Sequence, residues 1–190
     1  SLGLVGSEMC IRDRIHFTMF RGILTGYEDD IRDQLLRDIL SGKRLGNALA
    51  EVGGKDKFQH KTRVERNSEG QLILNGSKFY STGSLLAEWI SLFAGSDDGP
   101  VSILIHRDTQ GVELLDDWDA MGQNNSVSGT VNFKDVIVDE RYVAKRNTGG
   151  LGTVLRTGLT WPQILHTAMD TGIAKGALQG GIDYLQHHAR

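Results

Sequence analysis

The period of the hydrophobic pattern changes twice along the chain, and these changes restrict the fold more than any other feature. Between residues 28 and 41, apolar residues recur at the spacing that lines one face of a helix, and Gly42 follows as a C-terminal cap. From 46 to 138 the period is two, and turn residues recur about every 8 to 12 residues, as in antiparallel β sandwiches or barrels. Helical spacing returns beyond Pro162. The sequence therefore predicts an α+β protein in three parts.

The two ends of the chain qualify this division. Residues 4–14 resemble the translation of a sequencing-library adapter, so we exclude residues 1–14 from the fold prediction. The chain stops within a helical pattern that has neither a Gly cap nor a Pro stop, which indicates a piece of a longer protein. The predicted segments are then the end of a helical domain at 15–45, a β domain at 46–143, a polar glycine-rich linker at 144–160 and the first helix of a further helical domain at 161–190.

Turn signals divide the β domain into strands. Asn75 and Gly76 both tolerate positive φ and are typical of a two-residue hairpin turn. The polar run at 97–100 predicts a second hairpin. The strands predicted in this way are 61–66, 72–74, 78–81, 90–94, 101–106 and 130–138.

Three glycines mark one face of the C-terminal helical pattern. Gly172, Gly176 and Gly180 recur at every fourth position, where a neighbouring helix could approach closely. Charged residues interrupt this stretch, and no apolar run in the chain approaches the ~20 residues of a membrane span. We therefore expect close packing in a helical bundle and no membrane partner.

Composition and motif searches exclude several classes of function. The 21 Lys and Arg are outnumbered by 24 Asp and Glu, for a formal net charge of -3, so we expect no nucleic-acid partner. Cys10, the only cysteine, lies in the excluded segment, which argues against disulfides and thiolate catalysis and suits a cytoplasmic location. Neither a nicotinamide-binding motif nor a P-loop occurs. The histidines lack ligand spacing and the acids at 116–119 are typical of a solvated turn, so we predict no metal site.

Three motifs point to a family. They are GNALAEVGG at 46–54 (the first motif), LNGSKFYSTGS at 74–84 (the second motif) and MGQNNSVSGTVNFKDVIV at 121–138 (the third motif). In this order and spacing the chain resembles the acyl-CoA dehydrogenase superfamily over residues 15–190. The resemblance implies the end of the amino-terminal helical domain, the whole middle β domain and the start of the carboxy-terminal helical bundle.

Departures from the dehydrogenase pattern indicate a particular branch. The first motif lacks the Thr, Pro and Ser of T-E-P-G-x-G-S-D, and the second has Tyr80, Ser81 and Gly83 where dehydrogenases have Trp, Ile and Asn. In these respects the chain resembles the flavin monooxygenase branch, which includes dibenzothiophene monooxygenases and the oxidoreductases of sulfur acquisition.

That resemblance implies a reduced-flavin monooxygenase that oxygenates a small organosulfur compound through a peroxide on flavin C4a. It further implies FMN reduced by a separate flavin reductase, and a homotetramer. The alternative is an acyl-CoA dehydrogenase with bound FAD. Because the flavin of this fold lies between the β domain and the later bundle, we expect the 190-residue chain alone to bind flavin poorly and to be inactive.

The resemblance also assigns residues to the site. Asn47 would donate its amide to the flavin-bound oxygen or to the substrate, and Ser81 would hydrogen-bond near flavin N5 and C4a. Trp118 would line the substrate pocket. The residues expected to contact the cofactor are Asn47, Leu49, Ala50, Phe79, Tyr80, Ser81 and Thr82.

Each assignment has a structural alternative. Asn47 could cap a loop, and Ser81 could be an ordinary surface serine. One of Phe79 and Tyr80 could face the core, because they alternate across a strand. Trp118 could lie at the rim of a pocket. Glu51 matches an acidic position of the superfamily and is expected to orient other groups.

Overall fold

A computed structural model describes residues 2–53, 60–144 and 150–188. Its helices are α1 (Leu2–Gly26), α2 (Asp29–Leu40) and α3 (Gly150–His188). Its strands are β1 (Leu45–Ala48), β2 (Arg63–Arg66), β3 (Leu72–Lys78), β4 (Trp89–Ser96), β5 (Gly99–His106), β6 (Val112–Leu115) and β7 (Thr130–Val138). The predicted three-part α+β fold is confirmed, with a β domain between helices.

Helix α2 forms where the apolar periodicity predicts it. Ile31 and Leu35, one turn apart, are its buried residues and face the sheet. Asp29 and Asp30 lie in the first turn, where negative charge interacts favourably with the helix dipole. Gly42 follows with φ of +98°, a conformation that glycine adopts at little cost. Helix α1 includes the predicted helix from residue 15, and it also extends through most of the segment that resembles an adapter.

The seven strands form one curled sheet in the order β1-β4-β2-β3-β7-β6, with β5 paired to β4. The β4–β5 hairpin, predicted from the polar run at 97–100, is confirmed over all eight residues of β4. β1 joins β4 in parallel, so the first motif forms a strand at the edge of this sheet.

Two apolar clusters hold these layers together. The larger lies on one face of the sheet and includes Leu74, Ile90 and Val136, which are fully buried. The smaller joins α1 and α2 to the other part of the sheet, with Leu35 against Trp89 and its neighbours. Each such buried side chain stabilises the fold by roughly 1.5–3 kcal/mol.

The hairpin predicted at Asn75 and Gly76 is wrong. Both residues lie inside the continuous strand β3, which pairs with β7 on either side of Asn75. The register shifts between Leu74 and Gly76, and Asp135 of β7 has φ of +50° at this bulge. Asn75 Oδ1 accepts the N–H of Asp135 at 2.8 Å, and Gly76 has φ of +146°. The Asn-Gly pair therefore marks a bulge, where positive φ is required without a chain reversal.

Helix α3 also differs from the prediction. It begins at Gly150, so residues 150–160 of the predicted linker are helical, and Pro162 lies inside the helix and not near the start that 161–190 predicts. Residues 145–149 of that linker lie outside the described residues. Over the glycine face, apart from the neighbouring backbone of α3 itself, no described atom lies within 4 Å of the position that a Cβ would take at Gly172, Gly176 or Gly180, so the packing predicted there remains a prediction. Among the described residues, no helix has the length and apolar composition needed to cross a membrane.

Candidate functional site

The first two motifs meet at the ends of β1 and β3. The backbone N–H of Asn47 donates to the carbonyl oxygen of Thr82 at 3.4 Å. The N–H of Phe79 donates to the carbonyl oxygen of Ala50 at 2.9 Å. The residues assigned to the cofactor by the two motifs are thus adjacent, although more than thirty positions separate Asn47 from Ser81 in the sequence.

The third motif joins them through backbone and hydroxyl contacts. The N–H of Ser81 donates to the Gly129 carbonyl oxygen at 3.0 Å. The Thr82 hydroxyl lies 2.9 Å from that of Ser128, which in turn lies 2.8 Å from that of Ser126. Sequence reasoning did not assign Ser126 or Ser128 to the site. The signal that could have found them is the S-V-S-G-T run within the third motif.

Three buried polar side chains at this junction lack partners. Asn47 Oδ1, Ser81 Oγ and Ser84 Oγ have no hydrogen-bond partner within the described parts of the chain. A buried polar atom left unpaired costs about 1–3 kcal/mol, so a cluster of them is unusual in a purely structural role. Asn47 Oδ1 caps nothing in the described chain, and Ser81 is fully buried, so it is not a surface serine. The unpaired atoms are one amide oxygen, which can only accept a hydrogen bond, and two hydroxyls.

An aromatic pair lies beside this cluster. Tyr80 is 68% exposed, and its ring meets the ring of Trp118 edge to face at 5.7 Å. Trp118 is half-buried, and its Nε1 donates to the carbonyl oxygen of Gln123 at 3.0 Å. Phe79 is also half-buried, so of the two aromatic residues of the second motif it is Phe79 that lies nearer the interior. The pair presents an apolar surface of two rings to solvent.

Backbone strain is concentrated in the same place. Tyr80, Gln123 and Val127 all have positive φ, at 50°, 59° and 45°. This conformation costs about 1–3 kcal/mol for residues other than glycine, and it is least favourable for a β-branched residue such as Val127. Strained residues cluster at binding sites more often than elsewhere, so these angles favour a functional role for the second and third motifs.

A buried ion pair lies directly behind the junction. Lys78 is fully buried, and its Nζ donates to Glu51 Oε1 at 2.5 Å. Burial alone would raise the pKa of Glu51, but bonds from Lys78 and from the N–H groups of Lys61 and Thr62 lower it to about 2. Burial lowers the pKa of Lys78, although the bond to Glu51 opposes that change. Glu51 is therefore an ionised acceptor bound on both oxygens, which fits the orienting role expected for it.

Helix α1 is fixed over the strand that carries Asn47. His16 Nδ1 accepts the backbone N–H of Leu45 at 3.0 Å. Burial and the positive charge of Arg44 lower the pKa of His16, while Asp13 opposes them, so the neutral ring that accepts this bond is favoured. Sequence reasoning did not identify His16, because a single histidine in a helical pattern carries no signal of a distant partner.

A shallow cavity of about 350 Å³ lies elsewhere, between α1 and α3. Its lining residues are Arg14, Pro162, Gln163, His166 and Thr167, none of which was assigned to the cofactor or substrate. Within the described ranges, no group of three or more His, Cys, Asp or Glu side chains is arranged to hold a metal ion.

Comparison with known proteins gives this junction a family context. Residues 48–136 match the family model described as acyl-CoA dehydrogenase, middle domain. Dibenzothiophene monooxygenase of Mycolicibacterium goodii is 28% identical over 171 residues, which cover 84% of this chain and 41% of the relative. Mitochondrial isovaleryl-CoA dehydrogenase of Arabidopsis thaliana is 25% identical over 162 residues, which cover 82% of this chain and 39% of the relative.

Solved structures share this fold. FMN-bound TdsC from Paenibacillus sp. A11-2 matches with a TM-score of 0.78 at 25% identity, over 96% of this chain and 48% of that protein. Butyryl-CoA dehydrogenase from Megasphaera elsdenii matches with a TM-score of 0.86 at 22% identity, over 97% of this chain and 50% of that protein. The chain spans only 41% and 39% of the length of the two relatives above. Residues 48–136 match the middle domain of the acyl-CoA dehydrogenases, and most of the chain is similar to proteins of that superfamily.

Proposed function

We propose that the protein carrying this chain is a flavin-dependent monooxygenase that uses reduced FMN to oxygenate a small organosulfur compound. The main support for this proposal is the buried cluster in which Asn47 Oδ1, Ser81 Oγ and Ser84 Oγ lack partners in the described chain. The relatives named dibenzothiophene monooxygenase and the FMN-bound TdsC structure support the choice of flavin and substrate class.

We propose that the flavin ring binds at this junction. Reduced FMN would supply two electrons, so that one atom of O2 joins the substrate and the other leaves as water. Asn47 Nδ2 and Ser81 Oγ would donate hydrogen bonds to the reacting oxygen in a site from which water is excluded, where such bonds are strongest. The Thr82 hydroxyl, held by Ser128, would contact the polar edge of the ring.

The aromatic pair would bound the substrate pocket. Tyr80 and Trp118 already form one edge-to-face contact, and exposed rings bind flat apolar molecules well. The carbonyl oxygens of Leu49 and Ala50 are occupied by Lys78 Nζ and by the Phe79 N–H. Any contact of Leu49 and Ala50 with the flavin would therefore use their other atoms.

An acyl-CoA dehydrogenase with FAD is the second candidate. The 0.86 TM-score to butyryl-CoA dehydrogenase and the isovaleryl-CoA dehydrogenase relative favour it. That reaction needs a carboxylate base. Glu51, the acid of the first motif, is bound to Lys78 and to two backbone N–H groups, so it would not serve as that base.

The two candidates separate in assays of the complete protein. For the monooxygenase, reduced FMN and ¹⁸O2 should place one labelled oxygen atom on a thiophene or sulfide substrate, as measured by mass spectrometry. For the dehydrogenase, a saturated acyl-CoA should bleach the absorbance of bound FAD. Bleaching by the thioester without oxygen transfer would refute the monooxygenase proposal.

The proposal extends to partners and location. We propose a separate reductase that delivers reduced FMN, as the resemblance to the flavin monooxygenase branch implies. We also propose a cytoplasmic homotetramer in which the exposed apolar side chains of α3, such as Leu178 and Leu185, are covered. The 190-residue chain alone should then bind FMN weakly, and tight stoichiometric binding in a fluorescence titration would contradict this expectation.

A further inference from the structure

We propose that Lys78 and Glu51 are positioning residues that hold the flavin-contacting segments of the first and second motifs in register. This inference rests on the proposed function, because it concerns the segments that would contact the flavin. It adds two residues that would not touch the flavin themselves.

The contacts of this pair join three separate segments. Lys78 is the last residue of β3, and its Nζ donates to Glu51 Oε1 at 2.5 Å and to the Leu49 carbonyl oxygen at 3.5 Å. Glu51 also accepts the N–H of Lys61 at 2.6 Å and the N–H of Thr62 at 3.2 Å. The carboxylate therefore ties the end of the first motif to both the segment before β2 and the end of β3.

The residues on either side of the pair are those assigned to the cofactor. Leu49 and Ala50 directly precede Glu51, and the cofactor residues of the second motif directly follow Lys78. The Phe79 N–H donates to the Ala50 carbonyl oxygen at 2.9 Å, one residue beyond the ion pair on each strand. A change in the Lys78–Glu51 geometry would therefore shift both segments relative to each other.

Stability alone is a weak reason for a buried ion pair here. Lysine is almost never fully buried unless it is paired, because removing its charge from water is costly. Two apolar residues of similar size often stabilise a protein as well as a buried ion pair does. An apolar pair has no directional bonds, however, so it would not fix the Leu49 carbonyl and the two N–H groups in one arrangement. Orientation is the property that only the charged pair supplies.

The test compares thermal stability with FMN affinity and with amide exchange at Phe79, all measured in the complete protein. The single variants Lys78→Met and Glu51→Leu should be destabilised, because each leaves one buried charge unpaired. In the double variant Lys78→Met/Glu51→Leu, thermal stability should largely recover. The dissociation constant of the double variant for FMN should nevertheless rise by about ten-fold. This is the change expected when a complex loses one hydrogen bond. Amide exchange at Phe79 should accelerate by a similar factor, measured without flavin.

A core variant provides the control. Val136→Ala removes volume from a fully buried site on β7, whose pairing partner Leu74 lies four residues before Lys78 on β3. It should lower thermal stability while leaving FMN affinity and the relative protection of Phe79 unchanged. Suppose that Val136→Ala and the double variant have the same thermal stability and weaken FMN binding equally. The ion pair then affects FMN binding only through overall stability, and the proposal is overturned.

The remaining outcomes also decide the question. Wild-type FMN affinity together with wild-type exchange at Phe79 in the double variant would overturn the proposal. If the double variant does not fold, Lys78→Arg takes its place, because it keeps the charge but changes the geometry. Weaker FMN binding and faster amide exchange at Phe79 are then expected for this variant. If the wild-type protein binds no flavin, the proposed function fails, and exchange at Phe79 alone then decides whether the pair orders the two segments.

Discussion

The backbone N–H of Asn47 donates to the carbonyl oxygen of Thr82 at 3.4 Å, which holds a strand of the first motif against the segment that follows β3. The backbone of Asn47 is therefore fixed by the fold, whereas its side-chain Oδ1 has no partner in the described chain. The same contrast holds at Ser81, whose N–H is bonded to Gly129 and whose hydroxyl is not paired. Backbone bonds thus place these two side chains, and their unpaired oxygen atoms are left for another partner.

The first prediction concerns Asn47. Asn47→Ala in the complete protein should lower the turnover number with reduced FMN by about 100-fold, the usual effect of losing a donor to a developing charge. Thermal stability should change little, because the side-chain oxygen makes no bond in the described chain. Steady-state kinetics and a melting curve measure both quantities. Gln110→Ala, at an exposed position between β5 and β6, is the control and should change neither. Normal turnover in Asn47→Ala would remove this residue from the mechanism.

The second prediction contrasts two serines. Ser128→Ala should lower the free energy of unfolding by about 1–2 kcal/mol, because it leaves the hydroxyls of Thr82 and Ser126 without their shared partner. Ser81→Ala removes a hydroxyl that has no partner in the described chain, so it should cost much less. Denaturant unfolding of both variants compares the two. Equal losses would mean that the Ser81 hydroxyl is bonded after all.

The third prediction concerns acid stability. The pKa of Glu51 lies at about 2 in the folded protein, below its ordinary value of 4.5. The ionised carboxylate therefore stabilises the fold above about pH 4.5, and this contribution is lost as the pH falls towards 2. Glu51→Gln should make unfolding less dependent on pH within this window, as followed by urea titrations at several pH values. Glu140→Gln alters an exposed ion pair with Arg66 and serves as the comparison. An unchanged acid slope in Glu51→Gln would contradict the prediction.

The fourth prediction concerns His16. Its pKa is lowered by burial and by Arg44, so the folded state resists protonation and the bond from Leu45 contributes above the ordinary pKa of 6.5. As the pH falls below that value, this contribution is lost and α1 should loosen from β1. Hydrogen exchange of the Leu45 amide should then accelerate at pH 5 relative to pH 7.5, after correction for the intrinsic rate, a change on the order of several-fold. His16→Gln can keep an acceptor but does not titrate, so its exchange should lose this pH dependence.

The fifth prediction concerns the bulge between β3 and β7. A Cβ at Gly76 would lie 2.5 Å from the Thr62 backbone, and φ there is +146°. Gly76→Ala should therefore destabilise the protein by more than about 2 kcal/mol. Gly70 also has positive φ, at +82°, but has open space around it. Gly70→Ala should cost only about 1 kcal/mol, and equal losses in the two variants would mean that close packing at Thr62 is not the cause.

Local patterns in the sequence were sufficient for several elements. Helix α2, the β4–β5 hairpin and β7 all appear where periodicity and turn residues indicate them, because these signals depend on neighbours in the chain. The same kind of signal failed at Asn75 and Gly76. Their composition reports tolerance of positive φ, whereas the choice between a turn and a bulge depends on pairing with β7, which lies far away in the sequence.

The candidate site shows the same division more sharply. Its motifs could be recognised in the sequence, including Asn47 and Ser81, because each motif is a local run of residues. Only the tertiary structure brought Asn47 to Thr82 and Ser128 to Ser126 and Thr82. It also decided that Lys78, a residue usually found at the surface, is fully buried, because its charge is compensated by Glu51 from another segment. Periodicity fixes which face a residue occupies, but burial and pairing depend on which distant segment covers that face.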